Sequence, residues 1–194
     1  ILSNDNDLFK IVFTGNIGKS QDFESILLAA EILKSSNIKA KFLIFGDGRM
    51  KNDLVDQILS KGLKEQIQIC GLYPLSSMPS IYQQSDALLA TLKATPAFEK
   101  TIPAKIQSYM LSSRPILTML SGEGSRIVND AECGLTANSG DFLKLIENIK
   151  ILMQLNEADR NKMGLNGRSY LETEFNRKSI IDRLEKWFLE IKSI

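Results

Sequence analysis

The sequence predicts an α/β domain: a doubly wound parallel sheet of about six strands followed by a helical tail. Three observations carry this. Short apolar runs alternate with segments whose apolar residues recur at helical spacing. Three of these runs, KIVFTG, KFLIFG and QIQICG, end at a glycine, as strands do where they turn into a loop. ILTML, Ile116 to Leu120, is apolar throughout, the pattern of a central parallel strand covered on both faces. Right-handed crossovers follow for each strand–helix–strand unit.

Taken in order, Lys10 to Gly15 is the first strand, Asn16 to Ser20 a loop, and Gln21 to Ser35 a helix with Ile26, Leu27, Ala30 and Leu33 inward. Lys41 to Gly46 is the second strand. Gly46-Asp47-Gly48 then turns into a helix near Arg49 to Lys61, and Gln66 to Gly71 is the third strand. A short helix is expected over Leu75 to Gln84 and a fourth strand over Asp86 to Leu92. Phe98 to Thr101 reads as loop. Pro103 sits in a first helical turn, where its missing N–H costs nothing, and Arg114-Pro115 closes that helix. The fifth strand is Ile116 to Leu120, followed by the loop Ser121 to Gly124 and a helix over Ser125 to Ala131. Gly134 to Asn138 is the sixth strand. Only helix patterns follow: Asp141 to Leu155, Glu157 to Glu174 and Lys178 to Ile191.

Composition narrows the function. With 194 residues, 43% of them apolar, the chain can bury a substantial core. A net charge of +1 gives no broad basic surface for nucleic acid. No apolar run approaches the roughly 18 residues of a membrane span, so membrane contact is expected only peripherally, through another domain. Histidine is absent, which removes His-based acid–base chemistry and His metal ligands, and no residue set has metal-site spacing. Cys70 and Cys133 are expected as buried free thiols in a reducing cytoplasm. The chain opens with Ile in a polar ILSNDND stretch, so residues 1–9 are expected to lead in from a preceding domain.

Candidate chemistry gathers at the carboxyl ends of the strands, where open α/β sheets bind ligands. Gly15-Asn16-Ile17-Gly18-Lys19-Ser20 has a Gly-Lys-Ser ending but is no P-loop, because Phe13 stands where that motif needs its first glycine. It is either a plain glycine turn or a place where Gly15 and Gly18 let backbone approach a phosphate while Lys19 supplies charge. Gly46-Asp47-Gly48 lacks the third glycine of a dinucleotide fingerprint, since Lys51 stands there, so a nicotinamide cofactor is not expected. Gly46 still lets a ring or ribose lie against backbone, and the end of the third strand, Gly71-Leu72-Tyr73, can pair with a base edge. Tyr73 itself reads as packing. Lys105 falls in a first helical turn, where a cation opposes the helix dipole unless an anion binds there; the bland alternative is a solvated lysine. Glu99, Lys100, Gln107, Ser108 and Glu123 lie along the same stretch. Asp22, Glu24 and Glu31 read as ordinary surface.

In this order — glycine loop, GDG turn, strand-glycine, SDALL, Pro-x-Lys helix with Tyr-Met, RPIL — the motifs resemble the C-terminal half of a GT-B glycosyltransferase. More narrowly they resemble family four, the large retaining family with O-antigen and capsule enzymes. FEKTIPAKIQSYM is similar to a subgroup associated with N-acetyl-fucosamine-type sugars. The resemblance covers Lys10 to about Gly140, and more loosely Phe175 to Phe188.

It implies a Rossmann-like domain, one half of a GT-B fold, spanning 10–175, with a closing helix over 176–194. It implies a nucleotide-sugar donor, UDP-linked, no metal, and an acceptor held by an N-terminal domain. By resemblance, the Gly15 loop (Gly15, Asn16, Gly18, Lys19) lies at the diphosphate, and Gly46 to Gly48 with Gly71-Leu72 hold the nucleoside. Phe98 to Lys100 faces the sugar, Pro103 and Lys105 meet phosphate or sugar, and Gln107-Ser108 lie near the ribose. Lys19, Lys105 and Glu99 are the candidate catalytic residues, with both ammonium groups expected over one pocket. The family's paired glutamates fall on Lys100 and Ser108, with Glu99 and Gln107 one residue earlier; its first-loop Arg and Lys fall on Asn16 and Gln21. The rival expectations are a non-catalytic interaction module with a degraded site, or half of a sugar-nucleotide epimerase.

Overall fold

A computed structural model describes residues 7–192. Most of the expected lead-in, residues 1–6, and the end of the tail, residues 193–194, lie outside the described residues.

The described residues form one parallel sheet of six strands: β1 (Phe9–Thr14), β2 (Ala40–Phe45), β3 (Ile67–Gly71), β4 (Ala87–Thr91), β5 (Ile116–Met119) and β6 (Gly134–Ala137). Their spatial order is β3-β2-β1-β4-β5-β6. Chain order reverses between β1 and β4, which opens a crevice outside the strand ends at that point. The helices are α1 (Phe23–Ser35), α2 (Lys51–Ser60), α3 (Met78–Gln83), α4 (Pro96–Glu99), α5 (Ala104–Leu111), α6 (Glu123–Asp130), α7 (Phe142–Gln154), α8 (Glu157–Glu174) and α9 (Arg177–Lys192).

Strand side chains alternate between two cores, because successive residues of a strand face opposite ways. Ile11, Phe13, Phe42, Ile44 and Leu89 pack with α1, α2 and α7. Val12, Leu43, Phe45, Leu88 and Ala90 pack with α3, α5 and α6. Ile11 and Val12 expose nothing, and burying a side chain of that size contributes about 1.5–3 kcal/mol. The all-apolar strands of the sequence thus have the expected cause.

Local differences have physical reasons. α5 begins at Ala104, with Pro103 as the residue before the helix and not inside its first turn; Lys105 is still in that turn. The stretch before it, expected as loop, contains α4. Thr95 caps it by accepting from the Phe98 N–H at 3.1 Å, and Pro96 opens it. Four residues are too few for periodicity to reveal, although Thr-Pro is a helix-start signal. The Leu75 to Gln84 segment divides into a 3-10 turn, Leu75–Ser77, and α3. Asp22 is not ordinary surface: it is 7% exposed and caps α1, accepting from the Ser25 hydroxyl at 2.8 Å. Glu123 belongs to the first turn of α6, where Arg126 grips its carboxylate. Cys133 is buried and Cys70 partly buried, and both are free thiols.

The tail splits. α8 docks on the domain through close backbone contact: a Cβ on Gly164 would come within 2.0 Å of the Ser113 carbonyl oxygen. α9 is exposed along the length described, including Trp187 at 58% and Phe188 at 70%.

Candidate functional site

A cleft of about 390 Å³ opens at the carboxyl ends of β1, β2 and β3. Thr14, Gly15 and Asn16 come from β1 and its loop, Phe45, Gly46 and Asp47 from β2, and Leu72 and Tyr73 from the end of β3. Leu75, Met78 and Tyr82 close one side, and Lys105 and Ser108 reach in from α5.

The glycines make this floor possible. A Cβ on Gly46 would sit 1.8 Å from the Gly15 carbonyl oxygen, so the β1 and β2 loops touch backbone to backbone. Gly15 donates to the Phe45 carbonyl and Gly46 to the Gly71 carbonyl, at 2.9 and 2.8 Å, which ties three strand ends together. Asp47 accepts from the Gly48 N–H at 2.8 Å, and this bond with nearby Lys51 holds its carboxyl below the usual range.

Thr14, the last residue of β1, anchors α5. Its N–H donates to the Tyr109 hydroxyl at 3.0 Å, and its own hydroxyl pairs with the hydroxyls of Tyr82 and Tyr109 at 3.0 and 3.2 Å. The two rings meet edge to face, 5.6 Å apart. Burial pushes the Tyr109 phenol above its ordinary value, so it stays protonated and can keep donating to the Leu89 carbonyl. This network fixes the direction from which α5 faces the cleft.

Lys105 is the cleft's cation. Its side chain comes from the α3–α5–α6 face and crosses the end of β1. Its ammonium lies 3.9 Å from the centroid of the Phe13 ring, and Phe13 belongs to the opposite core. The ammonium donates to the Gln21 carboxamide oxygen at 2.9 Å and lies 3.5 Å from where a Gly15 Cβ would be. The residue is only partly buried over its length, but this end is enclosed, and burial pulls its pKa down to about 7. Among the described residues it forms no ion pair. The result is a cation whose charge no carboxylate neutralises.

A second hollow, about 460 Å³, lies across the Gly15–Gly18 loop. Gly18, Lys19, Gln21, Glu24, Asp53 and Lys93 are among its lining residues. Lys19 and Lys105 therefore line separate hollows, against the expectation of one shared pocket. Gln21 connects them, lining the second hollow while accepting from Lys105.

Of the candidate residues, Gly15, Asn16, Gly46, Leu72, Lys105 and Ser108 line the cleft. Gly48 lies beneath it, against Asn16 and the Ile17 carbonyl, and Gly71 ends β3. Glu99, Lys100 and Gln107 are exposed and line neither hollow, and Pro103 packs near Gly124. The Glu99 backbone is held against Gly122, whose Cβ would fall 2.0 Å from the Glu99 carbonyl oxygen. The residues that sequence reasoning passed over are Thr14 and Tyr82; Gln21 enters it only as the place where the family's first-loop Lys falls, with no role of its own. Thr14 offered one signal, a lone hydroxyl at the end of an apolar strand.

Comparison with known proteins agrees with this architecture. The family model for glycosyl transferases group 1 matches residues 1–170. The chain is 29% identical to Probable glycosyltransferase WbjE of Pseudomonas aeruginosa over 84% of its length and 40% of that protein's. It is 25% identical to the capsular polysaccharide biosynthesis glycosyltransferase CapM of Staphylococcus aureus, over 94% of its length and 46% of CapM. It thus spans less than half the length of either relative. Among solved structures, an S. aureus TarM mutant bound to UDP superposes with a TM-score of 0.78 at 17% identity, over 94% of this chain and 35% of that one. Anabaena HepE with UDP and glucose gives 0.76 at 14%, over 94% and 48%. The isolated C-terminal domain of LpcC, a group 1 family protein of Francisella tularensis, gives 0.68 at 17%, over 87% of both chains. These structural likenesses establish a shared fold, and with the family match over most of its length the chain belongs to the glycosyl transferases group 1 family.

Proposed function

We propose that this chain is the donor-binding half of a retaining glycosyltransferase that takes a sugar from UDP and passes it to a lipid-linked or saccharide acceptor in bacterial surface polysaccharide synthesis. One observation carries the donor assignment: the uncompensated Lys105 ammonium at the glycine-floored end of β1. The names of WbjE and CapM support the activity and the pathway, and the UDP in the TarM and HepE structures supports the nucleotide.

Transfer requires the departing diphosphate to be stabilised as the glycosidic bond breaks. Lys105 and the N–H groups of Ala104 and Lys105 at the start of α5, which the helix cannot use internally, would supply that stabilisation where charge develops. In this role they stand in place of a metal ion. The apolar side of the cleft, Phe45, Leu72 and Tyr73, would cover the base, and Ser108 would face the ribose with Gln107 nearby. Glu99 and Lys100 would meet the sugar. The acceptor would be held by a preceding domain, at the cytoplasmic face of the inner membrane. No helix of the described residues is long and apolar enough to cross a membrane.

Calorimetric titration with UDP, GDP and uridine tests this. UDP should bind more tightly than uridine, and Lys105→Ala should remove most of that difference. Equal binding of UDP and uridine would overturn the donor assignment.

A further inference from the structure

We infer that Gln21 is a positioning residue: its carboxamide oxygen parks the Lys105 ammonium across the end of β1, under the Gly15 turn, for delivery to the pyrophosphate of the donor. This rests on the donor reading above and adds a residue to it.

The argument begins with distance along the chain. Lys105 and Gln21 are 84 residues apart and come from opposite faces of the sheet, yet they meet at 2.9 Å. A long lysine side chain loses rotamer freedom when held in one place, so a fixed ammonium needs fixed partners. Three are present. Gln21 accepts its hydrogen bond, the Phe13 ring lies 3.9 Å beneath it, and the Gly15 backbone passes close above. Residue 15 has a φ of +139°, which favours glycine, and a Cβ there would meet the ammonium at 3.5 Å, an ordinary van der Waals contact.

The kind of partner matters as much as the position. A carboxylate at residue 21 would hold the ammonium more firmly but would neutralise it, and an incoming phosphate would then have to displace a like charge. A carboxamide accepts one hydrogen bond and carries no charge. The ring adds a modest attraction. Together they orient the cation and leave its field unspent.

The surroundings make the cation responsive. The titratable groups lining the cleft with Lys105 are Asp47, Tyr73 and Tyr82; behind it stands Tyr109, and across the loop are Lys19, Glu24, Asp53 and Lys93. Asp47 is held ionised by the Gly48 N–H and Lys51, and Tyr109 is held protonated by burial. Burial alone brings Lys105 to about 7. A pyrophosphate arriving at the ammonium favours its charged form, so binding at mildly alkaline pH takes up a proton.

The test is calorimetry on the full chain with UDP-glucose, whose pyrophosphate does not titrate near neutrality, and with uridine as control. Wild type, Gln21→Glu, Gln21→Ala and Lys105→Met are compared at about pH 6 and pH 8.5, in buffers of differing ionisation heat. Gln21→Glu should weaken UDP-glucose by about tenfold or more through the competing carboxylate, and leave uridine unchanged. Gln21→Ala should weaken it by roughly threefold to tenfold, again sparing uridine, because only the anchor is lost. Wild type should take up a proton at the higher pH, and Lys105→Met should not. Thermal melts guard against misfolding; if Gln21→Glu fails to fold, Gln21→Ala carries the test. If the Gln21 variants bind UDP-glucose as wild type does while Lys105→Met loses it, the positioning role is overturned and the donor site stands. If UDP-glucose and uridine bind alike in every variant, both fall.

Discussion

The two hollows on either side of the Gly15–Gly18 loop each hold a lysine, and they treat it in opposite ways. In one, the Lys105 ammonium is enclosed between a ring, a carboxamide and a glycine turn, with no carboxylate against it. In the other, Lys19 is exposed and shares its hollow with Glu24 and Asp53. An exposed charge among opposite charges is screened by water and neighbours, whereas an enclosed and unpaired one keeps its field. The contrast teaches that proximity to a glycine loop does not make a lysine an anion site. What does is desolvation with no carboxylate alongside, and Lys105 has both; with a pKa of about 7 it is only partly charged near neutrality, and an arriving anion favours the charged form.

The largest effect that could break this contrast is on transfer itself. In the intact enzyme, Lys105→Ala should cost about 3 kcal/mol of transition-state stabilisation, on the order of 100-fold in kcat. Steady-state kinetics showing an equal loss for Lys19→Ala would erase the distinction. Next comes the floor of the cleft. A methyl on Gly46 meets the Gly15 carbonyl oxygen at 1.8 Å, so Gly46→Ala should lower stability by about 1–3 kcal/mol in a denaturant melt and weaken UDP with it. Gly71→Ala has open space around it and should cost only the strain of its positive φ, about 1 kcal/mol.

A third test reads the burial of Lys105 through pH. Its folded pKa, about 7, lies below the ordinary lysine value of 10.5. Between these values the unfolded chain binds the extra proton, so stability rises with pH across that window. The cost of enclosing the ammonium is fully present below about pH 7 and vanishes above about pH 10.5. Lys105→Met should therefore be more stable than wild type at pH 7 and lose that advantage as the pH approaches 10.5 in paired melts. The smallest effect is Lys19→Ala, which should change UDP affinity by less than about 1 kcal/mol, as exposed charges do.

Much of the fold could be read directly. Apolar runs such as Ile116 to Leu120 have one physical meaning in an alternating pattern, and all six strands lie where those runs are. An element barely longer than one period escaped: α4 is four residues long, so only its Thr-Pro start could announce it. Asp22 escaped for a related reason, because a capping carboxylate and a surface carboxylate look alike until the fold buries one. The strand-end glycines of the cleft were legible because backbone contact between loops demands them. The pairing of Lys105 with Gln21 was not, since it joins residues 84 apart across the top of a sheet, and neither local spacing nor composition encodes that meeting. Lys19 and Lys105 were expected together because both follow strand ends; the loop between their hollows is a matter of three dimensions.

The most direct measurement is nitrogen-15 NMR of the lysine ammonium groups while UDP-glucose is added. The Lys105 resonance should titrate near pH 7 in the free chain, then shift and titrate at higher pH once ligand is bound, while Lys19 stays where it was. A shift at Lys19 with Lys105 unmoved would place the diphosphate in the other hollow and contradict the account.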